Sequence, residues 1–382
     1  MIFDVAIVGG GPAGATAARV LARSGARVAI IDGSHPREKP CGGGITGRGL
    51  ELAAEAISGA GIQVVEAVSA AFETRGRAAA VPLPQRHNGQ AALGIVSRRE
   101  FDAALLLAAR RAGATHVDAR ATGIEARGAG WAVSTPSAVV HADWLLGADG
   151  TNSLVRRRVA RPFSRSDLSI ASGYFVRGAS GASVALDFDD VPTGYLWSFP
   201  RADHLAAGAC AQATAASSSQ LLARTERWIR EKLPGRYSLE RYSWPIPSLT
   251  ACAIAREQPA GERWMLAGDA AGLVDPITRE GIFFAILSGE HAAASLGGGF
   301  PAAAYTERLR DTAYPELAHA ARLKHRFFRP ELLTLLVRAL ARNDRIRTIM
   351  ADLIAGRQSY AGLRRRLLGT LDLRLIVEWL RM

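Results

Sequence analysis

Residues 2–32 read IFDVAIVGGGPAGATAARVLARSGARVAIID. IFDVAIVG is an apolar run of the length of a buried strand. ATAARVLARSG has helical spacing, with Gly25 as its stop. RVAIID is a second strand and ends on an acid, Asp32. Between strand and helix lie Gly9, Gly11 and Gly14 in the pattern G-x-G-x-x-G, with Pro12 and Ala13 inside it. Each part has a physical task. Gly9 makes the tight turn, Gly11 lets backbone approach a pyrophosphate, and Gly14 lets the helix pack on the strand. The helix N-terminus draws phosphate oxygens, and Asp32 can accept from a ribose hydroxyl. In this order the parts predict a site for an adenine dinucleotide, without choosing between FAD and NAD.

Two later segments favour FAD. HADWLLGADGTNSLVRR (141–157) reads as a strand running into a glycine turn that carries Asp149. ERWMLAGDAAGLVDPITREGIFFAILSGEHAA (262–293) is another strand, then Gly268 and Asp269, a loop, and a long helix after Gly281 that starts at Ile282. A carboxylate at the C-terminal end of such a strand points into the ligand crevice and can hold a ribityl or ribose hydroxyl. The loop from Asp275 to Glu280 brings a helix N-terminus up to the ligand, where its positive end favours charge on a reduced flavin. In IVSRREFDAALLLAARRAG (95–113), Ser97 and Glu100 are placed for a capping box, so a helix is expected from Arg98 with Phe101, Leu105 and Ala108 on its buried face. Arg98 is then either an exposed arginine or a ligand of a cofactor phosphate or ribityl group.

The chain of 382 residues is long enough for two interlocked domains, and its 48% apolar and 21% charged residues are an ordinary globular balance. No apolar run is long enough to span a bilayer. The first residues lead straight into a strand, so no secretory signal is read. Three cysteines without a CxxC, and histidines without ligand spacing, fit a reducing cytoplasm and no metal site. The net charge is +12, and the last 62 residues hold 14 Arg or Lys against 5 Asp or Glu. Nucleic acid is not expected as a partner. YAGLRRRLLGTLDLRLIVEWL (360–380) has two readings. It can pack on the cofactor domain with an arginine-covered outer face. It can also lie on the inner face of a membrane, Trp379 and the leucines down and Arg364, Arg365 and Arg366 up.

Taken together, the G-x-G-x-x-G of residues 9–14, R-x-x-F-D-x-x-L of 98–105, A-D-G-x-N-S-x-V-R of 148–156 and G-D of 268–269 resemble the superfamily of p-hydroxybenzoate hydroxylase-like flavoproteins. Within it, KPCGGGIT (39–46) resembles the P-C-G-G-G segment of the geranylgeranyl reductase family, and PTGYLWSFP (192–200) is similar to that family's P-x-x-Y-x-W-x-F-P. The resemblance implies an α/β fold, α+β overall. A Rossmann-like FAD-binding domain (1–60, 95–165, 259–320) is joined to an inserted antiparallel-sheet substrate domain (61–94, 166–258) and a helical C-terminus (321–382). It implies that Gly42, Gly43 and Gly44 are bare because a flavin ring lies against them, with Cys41 on the substrate side as proton donor or as inert lining. Period-two alternation in GYLWSFP puts Tyr195, Trp197 and Phe199 on one face of a strand. Alone such a stripe is more often core; the resemblance makes it the wall of an apolar channel.

The implied activity is FAD-dependent saturation of isolated C=C bonds in a geranylgeranyl-type chain. Hydride comes from flavin reduced by NADPH or by a reduced ferredoxin, and the substrate is an isoprenoid lipid or prenyl diphosphate. No separate NAD(P)H fingerprint is present. The alternatives are an FAD monooxygenase or halogenase, and a non-catalytic isoprenoid-binding flavoprotein. Halogenation calls for a lysine near the substrate, and the chain has only Lys39, Lys232 and Lys324. Arg279 stands where many members of the family carry a small residue. It can narrow the flavin's front side or pair with a diphosphate.

Overall fold

The computed structural model describes residues 2–84, 91–297 and 300–370. The strand Ile2–Val8 lies at the centre of an eight-stranded sheet among the described residues, paired in parallel with Val28–Ile31 on one side and Val139–Gly147 on the other. Trp264–Leu266 extends it in parallel beyond Val139–Gly147, and an antiparallel pair, Gly123–Arg127 and Gly130–Ser134, is attached to the same strand. The central strands are continuous apolar runs because helices cover the sheet. Helix Pro12–Arg23 packs between Arg98–Arg111 and Ile282–Leu296. Gly289 permits that approach, since a Cβ there would meet the Ala13 carbonyl oxygen at 2.4 Å.

A seven-stranded sheet follows the order Ser238–Pro247, Leu168–Arg177, His204–Gln212, Tyr195–Pro200, Ser183–Asp187, Ser69–Thr74, Arg77–Pro82. One face carries helix Ser218–Lys232, started by a capping box of Ser217 and Gln220. A small third sheet pairs Leu93–Val96 with both Gly44–Thr46 and Val64–Glu66. Parts of 61–94 therefore build a bridge to the glycine-rich segment rather than the substrate sheet.

Two local expectations are corrected. Helix Arg98–Arg111 does start after Ser97, but the capping box does not form. Ser97 Oγ donates to Glu38 Oε2 at 2.7 Å, and Glu38 itself accepts from the Arg98 and Arg99 amides. A carboxylate from a distant loop thus takes the cap's place. Ala109, not Ala108, joins Phe101 and Leu105 in the core. The C-terminal helices Pro330–Arg342 and Asp344–Ile354 pack on the strand Arg77–Pro82 of the seven-stranded sheet. Tyr360–Leu368 packs on helix Ala313–Phe327, and its Leu363 and Leu367 are buried inside the protein, not turned outward. Arg365 is exposed. The Arg364 side chain and Trp379 lie outside the described residues. Among the described residues no helix is long and apolar enough to cross a membrane.

Candidate functional site

The glycine loop has the geometry its spacing predicts. Gly9 takes φ +103°, and a Cβ there would meet the Ala148 carbonyl oxygen at 2.3 Å. A Cβ on Gly14 would strike the Gly9 carbonyl oxygen at 1.9 Å, and Gly14 does not line the cavity. Around Gly11 nothing lies within 4 Å of the Cβ position. That open space, beside the N-terminus of helix Pro12–Arg23, fits a pyrophosphate. Asp32 accepts from the Gly10 amide at 2.7 Å and from the Ser34 amide and hydroxyl at 2.7 and 2.6 Å. Burial opposes its charge, yet hydrogen bonds from His35, Ser34 and Gly10 hold the carboxyl below the usual range.

Pro12, Ala13, Asp32, Arg98, Asp149, Gly268, Asp269, Gly281 and Ile282 all line one cavity of about 1150 Å³. The charged ones are already engaged by the protein. Asp149 accepts from Ser153 Oγ at 2.5 Å and from the Leu154 and Val155 amides, so it caps helix Leu154–Val159; burial raises its pKa. Asp269 pairs with Lys39 at 2.9 Å. Arg98 is neither exposed nor free: it grips Asp102 through two bonds of 2.8 and 2.7 Å. Gly281 caps the long helix from Ile282 as expected.

Two motifs far apart in sequence meet at the glycine run. A Cβ on Gly42 would touch the Phe199 ring at 2.8 Å, and one on Gly44 would touch it at 2.7 Å. The side chain that the missing Cβ atoms of Gly42 and Gly44 make room for is the Phe199 ring. Gly43, at φ +83°, faces the Val96 carbonyl and the Arg201 guanidinium. Arg201 is missed by the sequence reading. It donates to the Gly42 and Cys41 carbonyl oxygens at 3.0 and 2.9 Å and to Glu38 at 3.0 Å, fixing the segment that carries Cys41. Cys41 lines the cavity, and its sulfur accepts from the Gly43 amide at 3.3 Å. An arginine directly after F-P, at the end of a buried strand, was the available signal.

Tyr195, Trp197 and Phe199 lie on Tyr195–Pro200 and face the same cavity, the first two rings edge to face at 6.1 Å. The Tyr195 hydroxyl donates to the Thr278 carbonyl, and burial pushes its pKa up. Beyond them the wall is apolar: Leu323 and Phe327, then Leu336, Ile349, Leu363 and Leu367 from the C-terminal helices. Asp275 lines the cavity beside Tyr195, and burial pushes its carboxyl up to about 6. One end of the cavity thus offers backbone donors and open space for phosphates, and the other an apolar channel.

The FAD binding domain family matches residues 3–178. The geranylgeranyl diphosphate reductase of Rhodobacter capsulatus is 30% identical over 330 residues, 79% of this chain and 78% of that protein. The chain belongs to the geranylgeranyl reductase family. The digeranylgeranylglycerophospholipid reductase of Methanoculleus marisnigri is 29% identical, over 76% of this chain and 75% of that one. The fold agrees with a geranylgeranyl bacteriochlorophyll reductase-like protein of Thermoplasma acidophilum, at TM-score 0.77 and 22% identity over 97% of this chain and 99% of that chain. The chain is thus an FAD-dependent oxidoreductase by family, with the mixed α/β fold and helical C-terminus its motifs imply.

Proposed function

We propose that this flavoprotein saturates isolated C=C bonds of an isoprenoid chain. The observation that carries the reading is the continuity of the cavity, from the glycine loop past Cys41 and the aromatic strand to the apolar C-terminal helices. An unactivated alkene develops no oxyanion, so such a site works by positioning and by excluding water. Reduced flavin, when bound, supplies the hydride, and NADPH or a reduced ferredoxin is the source of its electrons.

The chain's own groups do the rest. Gly11 and the start of helix Pro12–Arg23 hold phosphates, Asp32 the ribose, and Asp149, Asp269 and Arg98 border the ribityl stretch. Tyr195, Trp197 and Phe199 hold the chain flat against the glycine side. Cys41 Sγ holds the proton for the second alkene carbon, and Arg201 keeps that sulfur in place through the Cys41 carbonyl.

The reading is tested by mass spectrometry of geranylgeranyl diphosphate and a polyprenyl quinone after incubation with FAD-loaded protein. Dithionite is used anaerobically, and NADPH in a parallel run in air. Gain of hydrogen pairs without oxygen is expected. Gain of oxygen only in the aerated run would replace the reductase by a monooxygenase.

A further inference from the structure

His35 is a buried ionisable group that the proposed reaction does not use. Its imidazole is 1% exposed and lies between two carboxylates. Nδ1 is 3.3 Å from Asp32, which follows the strand Val28–Ile31. Nε2 is 3.7 Å from Asp102, on the helix Arg98–Arg111. That distance is within ion-pair reach but too long for a hydrogen bond, and among the described residues the buried Nε2 makes none. A neutral imidazole keeps a lone pair on one of its nitrogens. In either tautomer that lone pair faces a carboxylate oxygen. Only the doubly protonated ring turns a donor to both sides. Burial opposes the charge, and the two carboxylates outweigh it.

The groups that His35 joins reach the cavity at both ends. Asp32 and Arg98 line it, whereas His35 and Asp102 stand behind the wall. Asp102 spends both oxygens on the Arg98 fork. The order carboxylate, imidazolium, carboxylate, guanidinium is balanced with the proton on His35 and carries one excess negative charge without it. FAD brings the negative charge of its pyrophosphate to the same wall and a ribose hydroxyl to Asp32. Proton and cofactor therefore favour each other. The remaining polar neighbours are engaged elsewhere. Ser34 gives its hydroxyl hydrogen to Asp32 and accepts from Arg37 Nε at 3.0 Å. His116, on the strand Thr115–Val117, donates from Nε2 to the backbone carbonyl of Asp32 at 2.7 Å, not to its carboxylate.

We propose that His35 is a positioning residue for the cofactor: its proton ties the carboxylate of Asp32 to the Asp102–Arg98 pair, and FAD binding is linked to holding that proton. The proposal rests on the placement of FAD at the glycine-loop end of the cavity and is independent of what the flavin reduces.

The experiment is calorimetric titration of FAD-free protein with FAD at pH 6, 7, 8 and 9, repeated at pH 8 in two buffers of different ionisation enthalpy. The carboxylates raise the His35 pKa to about 8 before the cofactor arrives. If FAD raises it by about one further unit, binding at pH 8 takes up about 0.4 of a proton, and affinity falls about fivefold from pH 6 to pH 9. Uptake should vanish at pH 6. His35→Gln should bind FAD more weakly at pH 6, lose the slope and take up no proton. His35→Lys, which keeps a positive charge, should bind more tightly at pH 9 than His35→Gln does. His116→Gln should keep both slope and uptake. A merely structural role for His35 would weaken binding equally at every pH. No proton uptake by the wild type at pH 8, a measurement that needs no variant, would overturn the proposal. So would slope and uptake retained in His35→Gln, or lost in His116→Gln alone. Hydrogen gain is scored separately. Proton-linked FAD binding without alkene reduction would defeat the reductase and keep the role of His35; reduction with FAD affinity independent of pH would do the reverse.

Discussion

Arg98 and Arg279 stand on the wall of one cavity and differ in what surrounds them. Arg98 meets a carboxylate fork from Asp102 within its own helix, and both side chains are almost wholly buried. Arg48, on the same wall, is held by Glu280 and Glu316 and lies over the Phe283 ring at 3.9 Å. Among the described residues Arg279 hydrogen-bonds a hydroxyl and a carbonyl, pairs with no carboxylate, and lies near a second basic group, Lys324. A neutralised cation is part of the frame, because its charge is spent inside the protein. An unneutralised one lacks that compensation and is held by neutral acceptors alone.

The largest effect should come from breaking the frame. Asp102→Asn leaves the Arg98 guanidinium buried without its counter-charge. A loss of about 3–5 kcal/mol in folding stability is expected, read from urea unfolding. A variant that unfolds at the wild-type midpoint would end the distinction between the two arginines.

The aromatic strand between the two ends should respond like neither. Trp197→Phe keeps an apolar side chain at the wall but leaves a gap beside Tyr195 and Tyr242, at a stability cost of about 1–2 kcal/mol. Long-chain reduction should fall by roughly tenfold through lost positioning, with the flavin still bound. The ratio of FAD absorbance to protein, measured beside turnover, checks both parts. Loss of flavin would mean that Trp197 belongs to the cofactor end.

Smaller again is the expected change in the ligand-free stability of Lys324→Met. Removing one of two like charges from the wall should leave stability unchanged or raise it by about 1 kcal/mol. A loss above about 2 kcal/mol would place Lys324 with Arg98 and Arg48 in the frame.

The same contrast explains what could be read from sequence. The glycine loop was legible because its spacing encodes local backbone geometry: Gly9 needs its φ, and Gly14 needs its missing Cβ. Tyr195, Trp197 and Phe199 were legible as one face because strands alternate. Compensation was not legible. Nothing in R-R-E-F-D shows that Glu38 rather than Glu100 caps the helix, since Glu38 lies 60 residues before Arg98. Nor does any local pattern reveal that Lys324 and Arg279 share Ser248, or that Phe199 rests on Gly42 and Gly44. The C-terminal helices show their apolar stripe in sequence but not its partner, which is why a membrane surface and packing on the cofactor domain were both open.

His35 allows the finest comparison, because it is a cation whose compensation can be switched. Its ring lies between Asp32 and Asp102, with Nδ1 3.3 Å from the Asp32 carboxylate and Nε2 3.7 Å from that of Asp102. Burial opposes its charge, but the two carboxylates outweigh that and raise its pKa from 6.5 to about 8. A raised pKa means that the folded state binds the proton more tightly than the unfolded state does. The stability it contributes is therefore fully present below about 6.5 and lost as the pH rises through about 8. Asp32 and Asp102, both held low, change charge only in acid and are silent in that window. Lys324, pushed down to about 7, works with the opposite sign, since the folded state gains as the pH climbs past that value. The two are separated by taking the difference between the wild type and His35→Gln in FAD-free protein. The advantage of the wild type in urea midpoint should be largest near pH 6 and shrink by pH 9. An advantage equal at both would mean that His35 stays neutral between its two carboxylates.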